Sequence, residues 1–509
     1  MRTNHGGESG GDPGAKLISR REVLIHGAAG AAVVCSLGGL TRLTSAPSGK
    51  PGPVRRAEAE SAFAPFQVDV PRMPVLQPVS TNGGVDRYEM TMQEAEAEIL
   101  NGIGPTPIVS YDGIFPGPTI RSRRGRPVEV TQTNDLSATT SVHLHGGHQP
   151  EESDGALHEY YIAPGGERTY HYPNQQPEAT LWYNDHVHGK VGEHLNYGLL
   201  GAHIIESPNE ANMGLPQDEY DVPLMIADRS FRESGAFYYP AGVADGFFGD
   251  TILVNGAIAP RMRVKRRIYR LRFVNASNAR EYRLRLGNGR IMHQIGADTA
   301  LIDRPRGRSA ITIVPGERAD VLVDFSQFRP GSQLILQNTH PSAADTPSVH
   351  AVMRFDVEGG GGREEFRIPN QLRWTEPIPS PQAIREITLE QTGDLWTING
   401  ELFDEDVVDI RPWRYTTEDW RFVNNSTHAH PMHLHDAHFR IRSINGQQPH
   451  PAERGWKDTV NVPPASGSQP GTALIRPYFA NHTGLFVFHC HTAEHSDFSM
   501  MKMIEVREP

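Results

Sequence analysis

His489-Cys490-His491-Thr492-Ala493-Glu494-His495, with Met500 ten residues beyond the cysteine, is the stretch on which the reading of this chain turns. The preceding Leu485-Phe486-Val487-Phe488 is apolar and β-prone, so the segment reads as the end of a buried strand leaving into a loop. Side chains on a strand alternate between faces, so Cys490 points one way while His489 and His491 both point the other. One short peptide can therefore serve two metal sites.

The first site would combine the Cys490 thiolate, His495, a histidine from elsewhere and a weak thioether from Met500, which is the ligand set of a blue-copper electron-transfer centre. The second would lie on the opposite face, where His489 and His491 need histidine partners from other strands. The chain supplies them in His143-Leu144-His145, His186-Val187-His188 and His430-Pro431-Met432-His433-Leu434-His435, each read as a same-face strand pair. A lone histidine is ordinarily a surface or satisfied core residue, and a lone His-x-His is weak evidence for a metal. Four such pairs, one wrapped around the only cysteine outside the N-terminal leader, are hard to explain without one.

A chain of 509 residues suits two to four domains, and 50 Gly with 40 Pro fits a turn-rich β protein better than a helical one. The net charge of -11 is spread along the chain without a Lys/Arg tract that could track phosphates, which speaks against nucleic acid as a partner. Near the N-terminus, Ser19-Arg20-Arg21-Glu22-Val23-Leu24 precedes a weakly apolar Gly/Ala-rich run to Leu40 and resembles a twin-arginine export signal. His26 and the glycines of that run disfavour a stable membrane span, so residues 1–45 are expected to be a cleaved leader recognised by the twin-arginine export machinery. Residues 46–64 are expected to form a disordered tether, with Ala57-Glu58-Ala59 as one of several small-residue cleavage candidates. The mature protein would then be extracytoplasmic, without a membrane span. Cys35 falls in the leader, leaving Cys490 as the one thiol of an exported chain and no intramolecular disulfide; such a thiol in a histidine nest is read as a metal ligand.

Asp112-Gly113, Asn255-Gly256 and Asn399-Gly400 are turn dipeptides whose glycines lie 143 and 144 residues apart (256 − 113 and 400 − 256). Each is followed by a β-prone run ending in asparagine: Val128 to Asn134, Tyr269 to Asn275, and Trp420 to Asn424. The repeat predicts an all-β fold of three consecutive Greek-key β-sandwich domains, over 65–210, 216–358 and 380–509. Nine and eleven residues after Asn134 and Asn424 come His143/His145 and His433/His435, whereas the same offsets from Asn275 reach Leu284 and Leu286. The middle copy should therefore be a metal-free spacer. In the first domain, Val187 stands where the third has Cys490, so the histidine cluster should lie between the first and third domains, while the thiolate site belongs to the third. Within the middle domain, Arg318 and Asp320 of Val314-Pro315-Gly316-Glu317-Arg318-Ala319-Asp320 are read as structural ion-pair or turn residues.

The segments HLHG (143–146), HVHG (186–189), HPMHLH (430–435) and HCHTAEH (489–495), in that order, resemble the four copper motifs of the multicopper oxidases. Their order and spacing over about residues 65–509 are most similar to the bacterial laccases, the spore-coat laccase and bilirubin oxidase branch. The resemblance implies cupredoxin-like domains and four coppers per chain, one type 1, one type 2 and two type 3. It assigns His430, Cys490 and His495, with Met500 axial, to type 1. It assigns His143 and His433 to type 2, and His145, His186, His188, His435, His489 and His491 to type 3. It also implies a carboxylate proton relay, for which Asp154 matches; a glutamate expected directly after the last type 1 histidine is replaced by Ser496, with Asp497 beside it as the candidate. His148, His194, His203 and His438 are read as non-ligands that can orient ligands from behind.

The implied activity is one-electron oxidation of phenolic or aminophenolic donors, at a shallow site beside the type 1 histidines, coupled to four-electron reduction of dioxygen to water. Three alternatives stand beside it: a cuprous or ferrous metal oxidase, an aminophenol-coupling biosynthetic oxidase that would use the same coppers, and a copper-free scaffold. Against the first, the 13 Met form no cluster before Met500; against the last, the set of ligating side chains is complete.

Overall fold

The computed structural model describes residues 63–509 other than 241, 288, 345, 361–365 and 375. The leader, Cys35, the cleavage candidate and nearly all of the tether lie outside the described residues. Six sheets fall into three successive pairs along the chain. In the first pair, Gly104–Tyr111, Asp86–Leu100, Val128–Asn134 and Glu167–Tyr172 form one sheet, and Gly117–Arg123, Leu200–Glu206, Ala179–Asn184 and His143–His145 the other. In the last pair, the sheet that carries the cysteine orders Val408–Ile410, Met501–Val506, Gly484–Cys490, His430–Leu434 and Thr459–Val462. Alternating burial, as in the BiBiBiB pattern of Val128–Asn134, puts one face of each outer strand on an apolar core. Among the described residues no helix is long and apolar enough to cross a membrane.

The repeat is visible atom by atom. Asp112, Asn255 and Asn399 all have positive φ, at 55°, 50° and 57°, and each is followed by a glycine with φ of 69°, 84° and 72°. Two left-handed residues in succession make the tight turn that Asx-Gly tolerates at low cost. The three Asx side chains accept a backbone N–H at matching places, from Thr91 (2.8 Å), Met225 (2.8 Å) and Thr388 (2.9 Å). Twenty residues on, Asn134, Asn275 and Asn424 are fully buried at strand ends. Each donates through Nδ2 to two carbonyls: Ala138 and Ile162, Arg280 and Ile313, His428 and Pro463. Each also accepts through Oδ1 from the N–H two residues later. The recurring asparagine thus has a physical basis: one amide satisfies three backbone groups at a corner water cannot reach.

In the middle segment Leu284 and Leu286 lie in the apolar core, at 0% and 1% exposure, where the outer segments present histidines. The same backbone position therefore serves packing in one copy and presents buried imidazoles in the others.

Replacing Asn275 with alanine leaves the Arg280 and Ile313 carbonyls and the Ser277 N–H without partners. It should destabilise the fold by about 2–3 kcal/mol, read as a lower urea midpoint; an unchanged midpoint would remove the corner role.

Candidate metal centre

Strand pairing brings the expected side chains together. His430–Leu434 lies antiparallel to Gly484–Cys490, with Met432 opposite Cys490 and His433 opposite His489, so the pleat sorts thiolate and imidazoles to opposite faces. On one face, Cys490 Sγ lies 3.7 Å from His430 Nδ1 and 3.4 Å from His495 Nδ1. The chain then turns through the short helix Ala493–Asp497, and Met500 N–H donates to His495 O while Cys490 N–H donates to Met500 O. These bonds return Met500, fully buried, to the apolar cluster that contains Cys490. The Trp396 ring packs on both histidines, at 5.2 and 5.1 Å between centroids, and both are buried rather than opening on a shallow surface site. The exposed His428 ring lies 4.8 Å beyond Trp396.

On the other face, seven histidines from the first and third segments converge: His143, His145, His186, His433, His435, His489 and His491, none more than 5% exposed. Nε2 of His489 lies 3.3 Å from that of His186 and 3.2 Å from that of His435. His143 and His433 face each other through Nε2 at 3.4 Å, and His491 Nε2 meets His145 Nδ1 at 3.1 Å. The outward nitrogens of four of these rings are pinned by acceptors, whereas Nδ1 of His186 and Nδ1 of His491 are buried with none among the described residues. His143 Nδ1 donates to Asp154 O (2.9 Å), His433 Nδ1 to Asp458 O (3.0 Å), His435 Nδ1 to Asp154 Oδ2 (2.8 Å), and His145 Nε2 to Asp458 Oδ1 (3.0 Å). Acceptors behind a histidine fix its proton on the outer nitrogen and aim the lone pair inward. Burial pushes His145, His186, His489 and His491 well below the usual imidazole range and His435 to about 3, so the rings are neutral.

Two expectations are corrected. The strand Ala179–Asn184 stops before His186, so the alternation that would put His188 beside it does not apply. His188 is exposed, in the turn before Gly189 (φ 78°), with its ring 5.1 Å from Phe403 and outside the cluster. Asp497 does not reach the histidines either. Its two oxygens accept from Val191 and Gly192 N–H (2.9 and 2.8 Å), capping the helix Val191–Tyr197, whose own Lys190 offers no cap. Burial raises Asp497 to about 7.

Asp154 sits where expected, buried against His143 and His435 and held by Gln149 Nε2 at 3.1 Å. Burial works against its charge, but the imidazoles of His435 and His143 hold it well below the usual carboxylate range. The four histidines read as non-ligands bond elsewhere: His194 to Asp185, His203 to Ser122, and His148 to His438, which in turn donates to Gly146 O. Asp458, Thr459 and Gln149 were not singled out from sequence. The signal available was slight, a charged Lys457-Asp458 pair heading an apolar-alternating Thr459-Val460-Asn461-Val462.

Neutral imidazole lone pairs aimed at one another in a dry interior, with a buried thiol beside them, suit a borderline-to-soft cation, and the residues fit copper. Fold and donor set together define a redox protein built of cupredoxin-like domains with copper as cofactor. Profiles described as multicopper oxidase match residues 91–210, 240–356 and 376–509. The laccase of Bacillus subtilis is 34% identical over 85% of this chain and 97% of its own. The bilirubin oxidase of Albifimbria verrucaria is 31% identical over 88% and 82%. Among solved structures, the laccase of Pediococcus acidilactici superposes with a TM-score of 0.79 at 30% identity, covering 87% of this chain and 96% of that one. The chain belongs to the multicopper oxidase family. It is an oxidoreductase of the bacterial laccase type, coupling donor oxidation to oxygen reduction.

Burial pushes the Cys490 thiol up to about 12, so copper uptake there must expel its proton. His430, held near 3 by burial, is already neutral and releases none. Apparent copper affinity of this site should therefore rise about tenfold per pH unit between pH 5 and 8. The check is a titration followed by the thiolate charge-transfer band; a pH-independent affinity would mean the thiolate is pre-formed.

Proposed function

We propose that this protein is an exported laccase-like oxidase that takes single electrons from phenolic or aminophenolic donors and delivers four to dioxygen, forming two waters. The observation that carries the reading is Cys490 set between His489 and His491, so that one strand belongs to both sites. In this reading His430, Cys490, His495 and Met500 would hold type 1 copper, and His143 with His433 would hold type 2. His186, His435 and His489 hold one type 3 copper, and His145 with His491 the other. Bound copper supplies one-electron chemistry at the thiolate and oxygen reduction at the histidines.

The chain's own part is placement and proton handling. Covalent paths run from Cys490 through the backbone to both flanking histidines. Each donor gives up a proton with its electron, and each dioxygen takes four of each. Asp154, a carboxylate that accepts from His435 Nδ1, supplies a hydrogen-bond acceptor beside the cluster along which a proton could be relayed. Trp396 packs on both type 1 histidines with the exposed His428 ring beyond it, which supports a donor approaching from that side. Export rests on Ser19-Arg20-Arg21 and the run to Leu40, which together suit delivery of a folded, metal-loaded chain. A multicopper oxidase of Campylobacter jejuni, a metallo-oxidase, shares the fold at 25% identity, so metal donors belong in the same screen.

Cys490→Ser should remove the blue band and donor oxidation while leaving the far-ultraviolet dichroism and thermal midpoint close to the parent. Parental turnover of phenols by that variant would refute the type 1 assignment. Asp154→Asn should slow oxygen reduction by about 10–1,000-fold while anaerobic donor oxidation persists. If both half-reactions slow together, Asp154 is a structural group and not a proton carrier. Arg20→Lys with Arg21→Lys should leave the protein in the cytoplasm on fractionation; undiminished export would exclude the twin-arginine route.

A further inference from the structure

His145 differs from the other histidines whose contacts define the cluster: it turns Nδ1 inward, toward His491, and Nε2 outward. His143, His433 and His435 all turn Nε2 inward with Nδ1 bonded behind. The acceptor behind His145 is the Asp458 carboxylate from the third domain, and that carboxylate is held by an arginine of the middle domain. Arg318 Nη1 and Nη2 reach the two oxygens at 2.8 and 2.5 Å, with both residues fully buried. Its remaining donors are used as well. Nε bonds Thr180 O, Nη1 bonds Gly316 O and Nη2 bonds Asp298 O, so all five N–H groups of the fork are satisfied. Thr459 Oγ1 donates to the same Asp458 oxygen at 2.9 Å.

The backbone around this fork is cut to fit. A side chain at Gly316 (φ 85°) would fall 2.8 Å from His145 Cε1 and 2.9 Å from His491 Cδ2; one at Gly146 (φ 83°) would collide with Arg318 and Asp458. The middle domain thus forms a wall behind one histidine pair, although none of its described side chains joins the cluster. We propose that Arg318 and Asp458 are positioning residues that fix the His145 proton on Nε2 and its Nδ1 toward His491, so that the middle domain sets how tightly the histidine cluster holds copper. This rests on the reading above that these histidines hold copper.

The test compares Arg318→Lys, which keeps the charge but loses the fork, Asp458→Asn and Thr459→Val in the full copper-reconstituted chain. Lys457→Met serves as a control: Lys457 pairs with Asp298 and Glu317 at 2.9 Å and touches none of the ligands. Readouts are copper per chain, electron paramagnetic resonance of the type 1 and type 2 signals, chelator titration and thermal midpoint. Arg318→Lys and Asp458→Asn should keep the blue type 1 signal, lose cluster copper about 10–100-fold more readily, and show an altered type 2 spectrum. Thr459→Val should show the same change in smaller measure, and it carries the test if Asp458→Asn does not fold. Lys457→Met should lower the midpoint and leave the type 2 spectrum alone. Folded variants that hold cluster copper like the parent would overturn the proposal, as would a control that shifts the spectrum equally. A parent that binds copper only at Cys490 would instead overturn the cluster reading itself.

Discussion

An imidazole can offer a lone pair to a metal only if its proton sits on the other nitrogen, and in a dry interior that proton must have an acceptor. Much of this protein's architecture follows from that requirement. Asp154 accepts for two rings, through its carbonyl and its carboxylate, and Asp458 does the same for two others. Both residues are fully buried, and neither could be ionised there without compensation from neighbouring donors. Arg318 and the surrounding N–H groups provide it, which explains why an apolar interior contains so many charged side chains around the cluster.

The three-fold repeat shows how such a site can arise from an ordinary sandwich. The Asx-Gly turn and the buried corner asparagine recur in all three copies with the same hydrogen bonds, so the backbone frame is common property. What differs is the pair of side chains nine and eleven residues past the corner. Leucines there complete a core, while histidines there need a partner domain to supply acceptors and opposing rings. The middle copy keeps the leucines and contributes through its loops, with Gly316 and Arg318 standing behind the clustered histidines of its neighbours.

Much of this was legible in the sequence because the signals are local. Turn dipeptides, β-prone runs and His-x-His spacing all act within about a dozen residues, and the all-β class, the three copies and the convergence of Cys490 with His430 and His495 followed from them. His188 was misplaced because periodicity says nothing about where a strand stops, and this one stops two residues before His186. Asp497 drew attention by its place beside the motif, but its partners, Val191 and Gly192, lie some three hundred residues away in the chain. Asp458 and Arg318 were invisible as a pair for the same reason, being 140 residues apart, with His145 a further 313 from Asp458. Long-range acceptors leave no periodic trace.

The contact between His145 and His491 spans 346 residues of chain. An ion shared by the two would act as a cross-link closing a loop of that length, and the entropy thereby removed from the denatured chain is worth on the order of 6 kcal/mol. Cys490 is the one cysteine among the described residues and is free, so a metal held between these histidines would take over the stapling that cystines perform in other proteins. Folding durability and redox competence would then respond to the same environmental variable, the copper available where the protein works.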